Sequence, residues 1–392
     1  MFLMTISFFL QGAIHGDGGG DLFRLIPVAG FFVAAIAGVA KKNISINVFV
    51  PRGIDVMLFV FVVLSFVPLF FDSLVGPSFY AVLFFMTAYS LFFCSVAYGL
   101  NAAVDSFLIA SLAVLVLSVV TDFSGLASAL SVTRTENGLL RYMALGAHPN
   151  LVGHNFGLAT VVALSRFVCS SGWKNSVIYL FLTVLFFVMP LAASSRGSIL
   201  AVAVSFFFCV VYLRLWKGSL SGAVSRLISF WPVFVLLVFV VVVLKHEYIF
   251  DLLEFDTAER GVGSGMTGRG DNWKLMIDLI FDSPRVLFLG AGFRTWDDSF
   301  YGYATDSSYL NLMWEIGVFA AAFAVFVPLL ALKKCFFLKP SCVSILVVLV
   351  FVYMLIEAFV ARYLYGVGNP ATSFFILLLM SVNHWEFFVK NK

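Results

Sequence analysis

The chain is a succession of apolar runs, most of them about as long as one bilayer crossing, joined mainly by short polar turns. A helix needs about 20 apolar residues to cross ~30 Å of hydrocarbon, with ~17–25 tolerated. Marking runs on that rule gives twelve candidate spans, at 1–14, 22–40, 54–71, 79–98, 103–120, 151–168, 175–192, 198–216, 228–246, 307–332, 343–360 and 372–389. The first is short. Met1-Phe2-Leu3-Met4 shows no basic n-region and no small-x-small cleavage site, so 1–14 reads as a retained span. Period-2 alternation is absent, which argues against a β-barrel. Lipid cannot satisfy an exposed backbone, so every span is expected to be helical.

Composition agrees. Of 392 residues, 62% are hydrophobic and only 11% charged, where soluble domains run near ~45–50% and ~25%. A soluble domain, a disordered chain and a nucleic-acid binder are all excluded. The expected fold class is an all-α polytopic integral membrane protein with about 12 transmembrane helices and a large outward loop containing short amphipathic helices. Its organisation is residues 1–246 (spans 1–9, with an outward loop at about 121–150), the large outward loop 247–306, and residues 307–392 (spans 10–12 and a tail).

Basic residues orient the spans. Thirteen Lys+Arg fall in connections that share one side with both termini. Five of the other 11 sit in one loop of about 60 residues, too long to count in the positive-inside rule. Both termini are therefore expected to be cytoplasmic. Lysine splits nine inside to two outside, while arginine splits four to nine. Topology does not require arginine to gather outside. Its planar fork grips carboxylate and phosphate bidentately, which a lysine point charge does not. The outer face is read as built to hold an anion, against the plainer reading of ordinary ion pairs with loop carboxylates.

The loop 247–306 holds 11 of the 21 acidic residues. Within it, 248–256 and 269–282 read as short amphipathic helices. Trp273, Met276, Leu279 and Ile280 share a face of the second, which Ser283-Pro284 stops. Gly263-Ser264-Gly265-Met266-Thr267-Gly268 formally matches G-x-G-x-x-G, but no strand precedes it; a hinge or lid is the better reading. Five cysteines lack zinc-like spacing, and the histidines form no metal motif, so no metal or cofactor is expected.

What remains is a distributed polar set. Ser194-Ser195-Arg196-Gly197 forms a tight outward turn, with Arg196 beside a helix start. Arg269 opens an amphipathic helix, so its guanidinium and the free N–H groups there are placed to grip one anion together. Arg134 and Arg141 lie in the first loop, and Arg362 closes the span before the last. Asp306 stands where the large loop re-enters the membrane. Glu315 follows nine residues later, about 13 Å deeper at ~1.5 Å per residue, where a carboxylate must be paired or line a cavity. Glu357 lies near the outer end of its span, with structural pairing to an arginine as its plainer reading. Together these residues point to an outer-leaflet pocket with phosphate-binding arginines and carboxylates, and a lipid diphosphate is the natural anion at that depth.

The same residues resemble a known family. Ser195-Arg196-Gly197 looks like the Ser-Arg-Gly step of the O-antigen ligase/polymerase superfamily. Arg269 with Trp273, Pro284, Gly290-Ala291-Gly292-Phe293, Asp306-Ser307-Ser308-Tyr309-Leu310 and Glu315-Ile316-Gly317 follow in that superfamily's order and approximate spacing. Upstream, His148-Pro149-Asn150-Leu151 with Gly153 is similar to its (N/H)PN-x-x-G segment. The resemblance covers about 148–317. Ligases usually carry His-Asn where this chain has Asp306-Ser307, which favours the Wzy-type polymerase branch.

The resemblance implies a metal-independent, GT-C-like glycosyltransferase in the bacterial inner membrane, working on the periplasmic side. Its donor and acceptor would be undecaprenyl-diphosphate-linked oligosaccharides, with a chain-length regulator protein as a further partner. Arg196 and Arg269 are the expected diphosphate residues and Asp306 or Glu315 the base. Arg134, Arg141 and Arg362 stand behind them. A ligase acting on lipid A–core, a lipid-linked glycan transporter and a non-enzymatic scaffold are the alternatives. A transporter usually shows inverted repeats and midplane charges; no repeat is visible, and the polar residues cluster at one surface.

Overall fold

The computed structural model describes residues 75–131, 134–135, 138–215, 269–292, 306–337, 340–366 and 369–382, with scattered positions between 29 and 67. The expected spans at 1–14 and 228–246, the amphipathic stretch 248–256 and the glycine-rich 261–268 lie outside the described residues.

Eight expected spans coincide with helices: α1 (Val75–Tyr98), α2 (Leu100–Thr121), α4 (Pro149–Cys169), α5 (Trp173–Ala192), α6 (Arg196–Leu215), α9 (Ser308–Phe336), α10 (Cys342–Glu357) and α11 (Pro370–Ser381). Of these, α2, α4, α5, α6 and α9 are each long and apolar enough to cross a membrane. Between them lie α3 (Phe123–Leu130), α7 (Arg269–Asp282) and α8 (Pro284–Leu289). The only sheet among the described residues is a small hairpin, β1 (Arg134–Thr135) against β2 (Gly138–Leu139). The architecture is that of an all-helical, polytopic membrane protein.

Local chemistry sets the helix starts. His148, Ser283 and Asn369 each precede a proline at the first helical position. Each accepts a hydrogen bond from a first-turn N–H, on Asn150, Val286 and Ala371 respectively. Proline suits that position because its missing N–H would be unpaired there anyway. Ser341 and Ser344 form a reciprocal capping box on α10.

The bundle is organised around α4 and α10, both buried along nearly their whole length. Helix α4 packs on α5, α6 and α10. Without a hydrophobic force between helices in lipid, close backbone approach through small residues becomes the main source of packing. Gly153 and Gly157 serve that purpose: a Cβ on either would stand 2.2 Å from the Ser195 Cβ and 2.4 Å from the Tyr353 hydroxyl. Apolar side chains such as Phe181 and Val184 of α5, and Phe319 and Phe326 of α9, point outward at high exposure. A bilayer accounts for faces of this kind.

Helix α7 spans the predicted stretch, with Met276 and Ile280 buried on its inner face. Helix α8, which periodicity did not indicate, follows it and docks on α9. There α9 breaks its regular backbone at Gly317 (φ 78, ψ 165). The carbonyls of Trp314 and Glu315 accept instead from Ala291 N (2.7 Å) and Gly292 N (2.9 Å). Gly290 and Gly317 both have positive φ, and each faces backbone of the other segment. A Cβ on Gly290 would be 2.3 Å from the Glu315 carbonyl oxygen, and one on Gly317 2.3 Å from that of Phe288. The glycines of the Gly-Ala-Gly and Glu-Ile-Gly runs thus interlock and fix α8, with α7 before it, against the bundle.

Candidate functional site

One end of the bundle gathers the N-termini of α4, α6 and α7 and the C-terminus of α10. Between them lies a cleft lined by Asn150, Ser194, Ser195, Arg196, Gly197, Arg269, Glu357, Val360 and Ala361, with about 340 Å³ of empty space partly open to the outside.

The cleft floor is held together by turns. Ser194, at φ 47, turns the chain between α5 and α6. Ser195 N donates to Pro190 O at 3.0 Å, and Ile199 N to Ser195 O at 3.1 Å. Gly197 lets α6 reach the end of α10, since a Cβ there would be 2.3 Å from Val360 Cγ2. Arg141 braces the rim, donating from Nε to Ala193 O (2.9 Å) and from Nη2 to Asn150 Oδ1 (2.8 Å). The segment 358–364 is pinned to the start of α9, where Ser308 N and Oγ both donate to Ala361 O and Leu364 N donates to Ser308 Oγ at 3.0 Å.

Among the described residues two cations line the space. Arg196 is the first residue of α6 and Arg269 the first of α7. Each therefore presents its guanidinium beside a helix N-terminus, whose first N–H groups have no intrahelical acceptor and carry partial positive charge. Arg269 Nε donates to Asp306 Oδ2 at 3.1 Å. That carboxylate is 39% exposed and orients the guanidinium.

Below them lies a buried polar cluster. Glu357, 2% exposed, accepts from Ser198 Oγ at Oε1 (2.8 Å), and Ser195 Oγ stands 2.9 Å from Ser198 Oγ. His154 Nδ1 is 3.8 Å from the same Oε1. Among the described residues Glu357 Oε2 has no hydrogen-bond partner, although Glu357 lines the cleft. The Tyr363 ring lies 4.9 Å from that of His154. Burial pushes the Tyr363 phenol up to about 12, against the opposing pull of Arg362, so it stays neutral.

The residues expected from sequence divide accordingly. Arg196 and Arg269 meet in one cleft, and Asp306 stands against Arg269. Arg141 acts as a brace between the first loop and the cleft wall. Arg362 acts on Tyr363 and is not among the residues that line the cleft. Arg134 lies in the hairpin. Glu315 is buried within α9 and does not line the cleft; its carbonyl holds the 290–292 segment. Ser198, His154 and Tyr363 were not anticipated. Their only sequence signal was weak: Ser198 follows the Ser-Arg-Gly run by one residue, and His154 follows Gly153. No group of three or more metal-ligating side chains occurs among the described residues.

Comparison with known proteins gives one family. The family described as O-antigen ligase matches residues 181–325, from the second half of α5 to the middle of α9. The match supports the resemblance to the O-antigen ligase/polymerase superfamily over that stretch, and it takes in Arg196, Arg269, Asp306 and Glu315. Among curated proteins nothing matches.

Proposed function

We propose that this protein is a glycosyltransferase of O-antigen assembly that transfers a glycan from a polyprenyl-diphosphate donor to a hydroxyl of a second lipid-linked unit, on the periplasmic side of the inner membrane. The family match supports a ligase- or polymerase-type role. One observation carries the chemistry: two arginines, each at a helix N-terminus, line one cleft with a buried carboxylate oxygen that has no partner.

A diphosphate has two anionic centres, and the cleft offers two guanidinium groups and two helix termini to meet them. Preorganised charge of this kind stabilises negative charge as it develops on a leaving group. In the transfer, the bond from the sugar's anomeric carbon to the diphosphate oxygen breaks, and that oxygen keeps the electron pair. The acceptor oxygen bonds to the same carbon and gives up its proton. The lipid carrier supplies the free energy.

The proton needs a positioned carboxylate. Asp306 is engaged with Arg269 and Glu315 lies away from the cleft, so the reading of the base moves to Glu357, whose Oε2 is the unpartnered oxygen at the floor. Asp306 then serves to aim Arg269.

Reconstitution with a polyprenyl-diphosphate-linked repeat unit as sole substrate tests this. A product ladder stepping by one repeat is expected, lost in Arg196→Ala and Arg269→Ala and reduced ~10²–10⁴-fold in Glu357→Gln. Transfer only after lipid A–core is added would establish a ligase instead. No product in either assay, from a folded preparation given its correct sugar, would refute the transferase reading.

A further inference from the structure

Glu357 is held by only one of its two oxygens. Ser198 Oγ reaches Oε1 from α6 at 2.8 Å, and His154 Nδ1 stands 3.8 Å from Oε1 on the α4 side. Both imidazole nitrogens of His154 are buried without a hydrogen-bond partner among the described residues, and so is Glu357 Oε2. His154 is 1% exposed. A buried imidazole with neither nitrogen engaged is costly to keep, unless packing holds it for a partner that it meets at another stage.

The packing does hold it. The Tyr363 ring lies at 4.9 Å and the Tyr353 ring at 6.1 Å. The Tyr353 hydroxyl donates to the His154 carbonyl oxygen at 2.8 Å, so α10 clamps the backbone of α4 at the residue that faces its own carboxylate. The imidazole is thereby fixed beside Oε1 and away from the cleft.

We propose that His154 is a positioning residue for Glu357: its Nδ1–H, with the Ser198 hydroxyl, anchors Oε1 so that Oε2 remains turned into the cleft to receive the acceptor's proton. This rests on Glu357 being the base. His154 does not touch substrate; it acts through the carboxylate. From 3.8 Å, a shift of about 1 Å brings Nδ1 to the ~2.7–2.9 Å of a charge-assisted bond, and the acceptor's arrival at Oε2 supplies the occasion. Arg196 on α6 and Arg269 on α7 line the cleft with Glu357, and Tyr353 on α10 and Tyr363 after it stand beside His154.

The test compares His154→Phe, which keeps ring volume without a donor, with His154→Gln, which restores an amide donor, in the full-length reconstituted protein. His154→Phe is expected to lower kcat by ~10–100-fold, the range for a catalytic group displaced by about 1 Å, with the donor KM unchanged within about twofold. His154→Gln should regain most of that loss. Melting temperature in detergent identifies any variant that fails to fold, and Ser198→Ala, which removes the other anchor of Oε1, then repeats the measurement with the same kcat-only loss expected. The proposal is overturned if a folded His154→Phe keeps wild-type kcat, if its loss appears in KM, or if Gln is as defective as Phe. Glu357→Gln separates the two levels: full activity there overturns the assignment of the base itself.

Discussion

Replacing Gly317 by alanine should undock α8 and silence the cleft from a distance. At φ 78 and ψ 165, residue 317 sits in a region open essentially to glycine alone. A Cβ there would lie 2.3 Å from Phe288 O, 2.5 Å from its carbonyl carbon and 2.9 Å from Leu289 N, all of them backbone atoms. Reaching the 3.0–3.4 Å of tight real contacts requires a retreat of about 0.7–1.1 Å by α8 or α9. Backbone strain costs ~1–3 kcal/mol, and the bonds from Ala291 N and Gly292 N contribute ~0.5–1.5 kcal/mol each. The sum, ~2–6 kcal/mol, falls on local docking, because the α4–α6–α10 core makes no use of it. Amide hydrogen exchange should therefore accelerate roughly 30-fold or more at Ala291 and Gly292, with little change within α4 and α10. Activity should fall as α7 and Arg269 lose their support. Wild-type protection at 291–292 in the alanine variant would refute the interlock.

Other expectations follow from single contacts. Arg269→Lys removes the Nε–H that reaches Asp306; the pair is partly exposed, so it contributes no more than ~1 kcal/mol to stability. The loss should appear as ~10-fold or lower transfer at unchanged melting temperature. A melting temperature that falls as far as activity would mean that the pair is merely structural. Gly157→Ala presses a methyl to 2.4 Å from the buried Tyr353 hydroxyl and should cost ~1–3 kcal/mol as overpacking. Adding Tyr353→Phe should restore part of that in a detergent melt, and no recovery would locate the strain elsewhere. Burial, with Asp122 adding to it, pushes the Tyr142 phenol up to about 12, as burial does for Tyr363. The neutral form is favoured in the fold, so this stability is complete below the ordinary value near 10 and is lost as pH rises through about 12. Melting temperature scanned over that window should fall less steeply in Tyr142→Phe/Tyr363→Phe, and an unaltered slope would refute the assignment.

The eight spans that coincide with helices were legible because each reports itself locally. Twenty apolar letters need no knowledge of the rest of the chain. The Ser195-Arg196-Gly197 turn and the helix opened by Arg269 were legible for the same reason, since a helix start is written in the few residues around it. That the two arginines share one cleft is a statement about α6 and α7 together, and the excess of outward arginine hinted at it only in aggregate. Asp306 and Glu315 looked alike in sequence, as carboxylates entering a span. They part company because Gly317 breaks α9 two residues after Glu315 and engages its carbonyl with Gly292. The interlock of Gly290 with Gly317 is invisible without the fold; a lone glycine in an apolar helix reads as a packing notch.

His154 and Glu357 are the clearest case of what one-dimensional reading loses. They are separated by two hundred positions, His154 is the one imidazole of α4 and Glu357 the one carboxylate of α10, and each taken alone is most economically explained as a buried residue paired with something. That explanation misses the consequence, because the two face each other at 3.8 Å. Lipid makes an isolated buried charge so costly that two such residues on different spans are more informative as a pair than either is alone. A reader of the sequence with no third dimension would gain most by asking which intramembrane polar residues stand at the same depth. By that test His154, five residues inside the start of α4, Ser198, two inside α6, and Glu357, at the end of α10, fall in one layer. Arg196 and Arg269 form the layer above it, and the chemistry proposed here runs across the boundary between the two.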